Sequence, residues 1–255
     1  HRGVTMIQLK NSAQIEQMKR AGRITGEALL VAEEHVRPGV STWELDRAIH
    51  QYIVKCGATP SFLGYSGFPG SACISVNDEV IHGIPSKKRI LEEGDIVKVD
   101  VGAFIGGFHG DSARTFPVGS VSENARRLIE ATKESFYRGL SQTLVGYRIG
   151  DIGAAVDACA RQYGYSVVRR YVGHGVGHEL HEAPEVPNFG TPGRGARLYA
   201  GMVIAIEPMV NEGVCEVREM ADGWTVKTAD GKLSAHYEHT VAILDDGPLL
   251  LTDIK

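Results

Sequence analysis

The chain has 255 residues, with 27 basic and 31 acidic side chains and a net charge of −4. Hydrophobic residues make up 43% and charged residues 23%, which excludes a disordered chain, while interleaved signs exclude a basic nucleic-acid face. No apolar run approaches the about 18 residues of a membrane span, and the four cysteines form no Cys-x-x-Cys pair, so Cys56, Cys73, Cys159 and Cys215 read as reduced thiols of a cytoplasmic protein.

Residues 1–5 are polar and unpatterned and are set aside as a cloning remnant, leaving 6–255 as a single domain. Asn11 followed by Gln14 is a capping box that opens a first helix. Ile15, Met18, Ile24, Ala28, Leu29, Val31 and Ala32 recur at helical spacing as far as His35, and Pro38-Gly39 stops the run. A second helix opens at Ser41 with Glu44 in the reciprocal position. It carries Leu45, Ala48, Ile49, Tyr52 and Ile53 on its apolar stripe and ends at Gly57. Period-two strands follow at 73–76, 96–101 and 108–116, the last two joined through Ile105-Gly106-Gly107 as a hairpin. Ser122 opens a third helix with Leu128, Ile129, Phe136, Leu140 and Leu144, broken by Gly146. A fourth carries Ile152, Ala155, Val156 and Cys159 and closes at Gly164. Further strands are predicted at 167–171, 202–206, 224–227 and 236–243. Paired helices and hairpin strands predict an α+β fold, an antiparallel-rich sheet with helices on its outer face. Gly39 to Gly57 and Gly146 to Gly164 have the same separation, with Leu45, Ala48 and Ile49 in register with Ile152, Ala155 and Val156. Either glycine-ended helix pairs recur by chance, or two related halves, 11–118 and 119–255, face each other across a site.

Asp100 interrupts an apolar strand, and Asp111 follows eleven residues on, across the same hairpin. Glu207 lies in Ile204-Ala205-Ile206-Glu207-Pro208, and Glu238 at the entrance to Thr240-Val241-Ala242-Ile243. A buried, unpaired carboxylate is costly and takes up a proton. One alone would reach solvent, but four in core-facing strands need shared compensation, which divalent cations supply. Gly173-His174-Gly175-Val176-Gly177 adds an imidazole. His174, His178 and Glu179 do not match His-Glu-x-x-His, and three glycines in five positions argue for a tight turn rather than a helix. No downstream acid supports a dinucleotide loop. Four carboxylates balance two divalent ions in charge, and oxygen-rich ligation with one imidazole favours Mn, Fe or Co over a sulfur-rich zinc site. Two ions about 3.5–4 Å apart hold a hydroxide at neutral pH and polarise a carbonyl, so the reaction class is metal-assisted hydrolysis.

In that order, Asp100 with Asp111, Gly173-His174-Gly175-Val176-Gly177, Ile206-Glu207-Pro208 and Tyr237-Glu238-His239-Thr240 resemble the type I methionine aminopeptidases of the pita-bread (M24) family, over about residues 7–251. The resemblance implies duplicated αβ halves around a dinuclear site. Asp100 would chelate one ion, Asp111 and Glu238 would bridge, and His174 with Glu207 would hold the second, with Co, Mn, Fe, Ni and Zn all open as the ion. It implies that His82 contacts the scissile amide nitrogen and that His181 hydrogen-bonds the scissile carbonyl. Glu207 would shuttle the proton between the attacking water and the departing amine. Tyr65, Cys73 and Trp224, with Phe62, Phe68 and Leu180 in the other lining positions, would form a methionine pocket. The last three differ from many bacterial relatives but stay suited to a thioether. His178 stands where relatives often carry a base, with an altered pH profile expected. Backbone carbonyls near Asn77, Val80 and Ser234 would hold a monovalent cation.

The implied activity is removal of the initiator methionine from peptides and nascent chains with a small second residue. A metal-bridging hydroxide would attack the first peptide carbonyl. The resemblance further implies a cytoplasmic monomer that meets the ribosome transiently and binds neither DNA nor membrane. A prolidase shares fold and ligands but usually carries a long N-terminal domain, and the type II branch carries an additional helical insertion. Non-enzymatic relatives have lost ligands, whereas all five stand here, and the short length favours a bacterial short form.

Overall fold

The computed structural model describes residues 6–254, so the remnant read at 1–5 lies outside the described residues. Both capping boxes form. At the start of α1 (Ser12–His35) the Asn11 side chain accepts from the Gln14 N–H, and Gln14 Oε1 accepts from the Asn11 N–H, each at 2.9 Å. Ser41 and Glu44 repeat the exchange at α2 (Thr42–Lys55). Each such cap contributes about 1 kcal/mol. The second helix pair is α3 (Glu123–Leu140) and α4 (Ile149–Gln162). Helix α3 stops before the expected Leu144, because Ser141 Oγ and Thr143 Oγ1 donate to the Arg138 and Leu140 carbonyls and offer the last turn an alternative to helix. Leu144 is left exposed.

Every strand pairing among the described residues is antiparallel. Ile96–Ile105 and Phe108–Pro117 form a long hairpin, in register from Ile96 opposite Pro117 to Ile105 opposite Phe108. Gly106 and Gly107 alone make its turn, at φ 62° and 86°, the left-handed pair that a two-residue hairpin connection requires. Helices α1 and α2 cover this sheet. Leu45, Ile49 and Ile53 are fully buried in one cluster with Val97, Val99 and Val101, each contributing about 1.5–3 kcal/mol. Helices α3 and α4 cover other strands, packing Leu128, Phe136, Ile152 and Val156 with Ile204, Ile206, Val210 and Val241.

Several strands differ from expectation, and each difference shapes the site. The run expected at 236–243 is two strands, Ser234–His236 and His239–Leu244. Opposite it, Val203–Ile206 and Met209–Asn211 part at the same level, since Ile206 pairs with His239 and Met209 with His236. Pro208 has no N–H for a continuous ladder, and the matched gap sets Glu207 against Glu238. The strand expected at 167–171 is only Ser166–Val167, because its partner is the short Met209–Asn211; beyond Val168 the chain bends toward the cavity described below. Trp224 precedes the strand Val226–Thr228, held in a turn whose Trp224 and Thr225 N–H groups donate to Asp222. Gly173–Gly175 is a strand rather than a turn. A Cβ on Gly173 would lie 2.2 Å from the Ala205 oxygen and one on Gly175 2.3 Å from the Ala183 oxygen, so glycine here permits close strand approach.

Candidate metal centre

Three strands and the matched gap deliver five side chains to one place. Asp100 and Asp111 come from the two strands of the long hairpin, His174 from the Gly173–Gly175 strand, and Glu207 and Glu238 from the matched gap. One oxygen from each of Asp100, Asp111 and Glu238 lies within 4.8 Å of the others, and the same holds for one ligand atom each of His174, Glu207 and Glu238. These two triads share Glu238, and His174 Nε2 lies 3.3 Å from Asp111 Oδ2 and 3.2 Å from Glu207 Oε1. His174 Nδ1 is 2.8 Å from the Gly175 carbonyl. Donating there leaves Nε2 free to ligate, the usual arrangement behind a metal-bound imidazole.

Asp100 Oδ1, Asp111 Oδ1 and both Glu238 carboxyl oxygens are buried without any hydrogen-bond partner. Buried carboxyl oxygens are otherwise paired, so this donor set fits a pair of divalent cations. Burial first, and then the charge of Asp111, holds the carboxyls of Asp100 and Glu238 well above the usual range. Burial also opposes ionisation of Glu207, but hydrogen bonds from His174 and His236 prevail and hold it down at about 2. For His174, burial favours the neutral ring, yet hydrogen bonds to Asp111 and Glu207 prevail and raise it well above its usual value.

The cluster floors a cavity of about 340 Å³ into which Asp100, Asp111, His174 and Glu207 open. Phe62, Phe68, Cys73 and Leu180 form a buried apolar group along its wall, with Trp224 packed against them. Tyr65 is 42% exposed at the rim, its hydroxyl 2.9 Å from His181 Nδ1. The His181 ring lies 4.2 Å from that of His174, and His181 also brings a ring nitrogen within 4.8 Å of ligand atoms of Asp111 and His174. His82 holds the left-handed backbone, φ 61°, uncommon outside glycine, with its ring edge-on to Tyr171 and Trp224. Burial lowers the pKa of both His82 and His181.

Three residues that sequence reasoning passed over also belong here. His236 is 1% exposed, and its Nε2 is 3.2 Å from Glu207 Oε2. It lies two residues before Glu238, so the period-two pattern was a usable signal. Arg170 and Tyr171 line the cavity mouth, delivered by the bend where a strand was expected. His178 instead sits on the hairpin turn, its Nδ1 2.7 Å from the Gly107 carbonyl and its ring stacked on Phe108. It is outside the cavity lining.

The residues do not fit the expected monovalent cation. The Asn77 and Ser234 carbonyls each accept a hydrogen bond from Lys98 Nζ at 2.8 Å, so a side chain of the protein occupies that position. Burial pulls the Lys98 pKa down to about 7, but amine and ammonium alike carry the N–H donors that the carbonyls need.

Comparison with known proteins agrees with this geometry. The model of metallopeptidase family M24 matches residues 16–245. A methionine aminopeptidase of Clostridium acetobutylicum is 55% identical over 247 residues, covering 97% of this chain and 99% of the relative. The crystal structure of a methionine aminopeptidase from Thermotoga maritima superposes with a TM-score of 0.96 at 42% identity, covering 98% of this chain and 100% of that one. A prolidase from Pyrococcus furiosus gives 0.77 at 25% identity, covering 97% of this chain but 66% of its own. The chain belongs to metallopeptidase family M24, in its type I methionine aminopeptidase branch with the pita-bread fold, and is a hydrolase of the aminopeptidase class.

Proposed function

We propose that the protein removes the N-terminal methionine from peptides and nascent chains whose second residue is small. One observation carries this reading: two triads sharing the buried Glu238 floor a cavity walled by Phe62, Phe68, Cys73, Leu180 and Trp224. An apolar, partly aromatic wall suits an unbranched, polarisable thioether. In this reading Asp100 would hold one ion, His174 with Glu207 would hold the other, and Asp111 and Glu238 would serve both. Bound there, two divalent ions would polarise the scissile carbonyl and generate the nucleophile from water at neutral pH.

The remaining work falls to the chain itself. His181 donates a hydrogen bond to the scissile carbonyl, a role supported by its position beside His174 and by the burial that keeps its ring neutral. His82 meets the scissile amide nitrogen, and Tyr65 steadies His181 through the 2.9 Å contact. Glu207 moves a proton from water to the departing amine, oriented by His174 and His236. The catalytic domain is taken as 6–255, in pseudo-symmetric halves at 11–118 and 119–255. Support for the halves comes from one core cluster confined to Ala21 through Val118 and another drawn almost wholly from Ala125 through Ile243. The four free cysteines support a cytoplasmic location. Transient ribosome contact and a monomeric state are carried over from the resemblance.

A peptide panel tests the reading on chelated protein to which Mn, Fe, Co, Ni or Zn is returned separately. Met-Ala-Ser should be cleaved faster than Leu-Ala-Ser and X-Pro peptides. Equal rates on X-Pro peptides would move the activity to the prolidase branch.

A further inference from the structure

Lys98 lies on the strand Ile96–Ile105, two residues from Asp100 and on the same face of the sheet. It is 1% exposed. The two carbonyls that receive its Nζ come from distant parts of the chain, and each is itself held in place. Asn77 has a left-handed backbone, φ 56°, with its side chain bonded to the Ile96 N–H and to Asp95, and its carbonyl also accepts the Ser234 N–H at 3.2 Å. Ser234 begins a segment whose alternate carbonyls all receive donors from the N-terminal strands. Lys98 Nζ reaches the Ser234 oxygen and Thr115 Oγ1 the His236 oxygen, both at 2.8 Å. Ser112 Oγ at 2.6 Å and the Ala113 N–H at 3.2 Å reach the Glu238 oxygen. Lys98 therefore makes the first of three successive ties, and the last is at Glu238.

We infer that the Lys98 side chain permanently fills this carbonyl cradle in place of a free monovalent cation and is a positioning residue that fixes the strand of Asp100 against the segment leading to Glu238. Two consequences separate this from a merely space-filling lysine. The protein as it stands needs no monovalent ion at this position. Removing the side chain opens a pocket bounded by two carbonyl oxygens, a ligand set suited to a small monovalent cation. The inference rests on the ligand assignment above, but its readouts use no substrate, so failure of the peptide specificity leaves it standing.

The test compares the wild type with Lys98→Ala and Lys98→Met, following thermal unfolding and Mn²⁺ affinity at constant ionic strength in K⁺, Na⁺, NH₄⁺ or choline. The wild type should give the same values in all four. In choline, Lys98→Ala should melt lower by about 5 °C and bind Mn²⁺ roughly tenfold more weakly, and K⁺, Na⁺ or NH₄⁺ should restore both. Lys98→Met, which fills the space without donors, should show the loss and no rescue. A wild-type response to K⁺ or Na⁺ over choline overturns the inference. So does a Lys98→Ala variant with unchanged Mn²⁺ affinity, or one that no small cation rescues. Where Lys98→Ala does not fold, the wild-type comparison still tests whether the cradle takes a free cation, and unchanged Mn²⁺ affinity in Lys98→Met overturns the positioning role.

Discussion

Filling the acidic cluster with metal should expel protons, in a number set by its geometry. In the metal-free protein, burial and then the neighbouring Asp111 charge hold the Asp100 and Glu238 carboxyls well above the usual range, so both keep protons to higher pH than free carboxyls do. Hydrogen bonds to Asp111 and Glu207 prevail over burial to keep one on His174 as well. Glu207, held at about 2, has none to give. A ligand must shed its proton, so filling the cluster while these three groups are protonated should release about three protons from side chains, besides any that bound water gives up. While all three groups remain protonated, overall affinity for the ion pair should rise about a thousandfold per pH unit. All three pKa values are raised in the fold, so their stabilising contribution is complete below the unfolded values and is lost as pH climbs through the folded ones. Metal-free protein should accordingly melt lower at about pH 8 than at about pH 5, and added Mn²⁺ should remove the difference. Calorimetric titration of chelator-stripped protein with Mn²⁺, in buffers of different ionisation enthalpy, counts the protons. A heat independent of buffer, or release of less than one proton, refutes the premise that these buried acids are neutral before metal arrives.

Asp111→Asn keeps the shape of the side chain but removes a charge from the centre of the cluster; turnover should be abolished and bound metal per chain, measured by elemental analysis, should fall. Near-normal activity with two bound ions would exclude a shared ligand at this position. His181→Ala should lower kcat more than it raises KM in steady-state assays, because its hydrogen bond strengthens as charge builds on the carbonyl oxygen; a change confined to KM reassigns it to ground-state binding. Gly175→Ala should destabilise the protein by about 1–3 kcal/mol in denaturant titrations, since its Cβ would lie 2.3 Å from the Ala183 backbone oxygen. Unchanged stability would show that the strand can move aside.

Local chemistry was legible in the sequence, and long-range pairing was not. The capping boxes at Asn11 and Ser41 and the Gly106-Gly107 turn are decided by a few neighbouring residues, and they form where the pattern puts them. The four acids were visible because a carboxylate in an apolar strand is anomalous wherever the strand goes, and they do converge with His174. The break at Tyr237-Glu238 was not visible, because it reflects a change of partner from Met209–Asn211 to Val203–Ile206, which no local period records. Gly173 and Gly175 looked like turn residues because glycine serves two purposes, left-handed backbone and close approach, and only the neighbouring strands reveal which. Lys98 alternates with valines as a polar residue of any half-exposed strand does. Its burial depends on carbonyls at Asn77 and Ser234, far away in the chain.

The matched gap that joins Glu207 to Glu238 lies late in the chain, while Asp100 and Asp111 lie on a hairpin made much earlier. The opening stretch of polypeptide, whose helices pack over that hairpin, carries only two of these acids, with neither His174 nor the shared Glu238. The cluster that the proposed ions would occupy is incomplete until His239 pairs with Ile206. On the proposed ligand assignment, a chain cut short before Glu238 would lack the shared member of two triads and should hold less metal than the full chain.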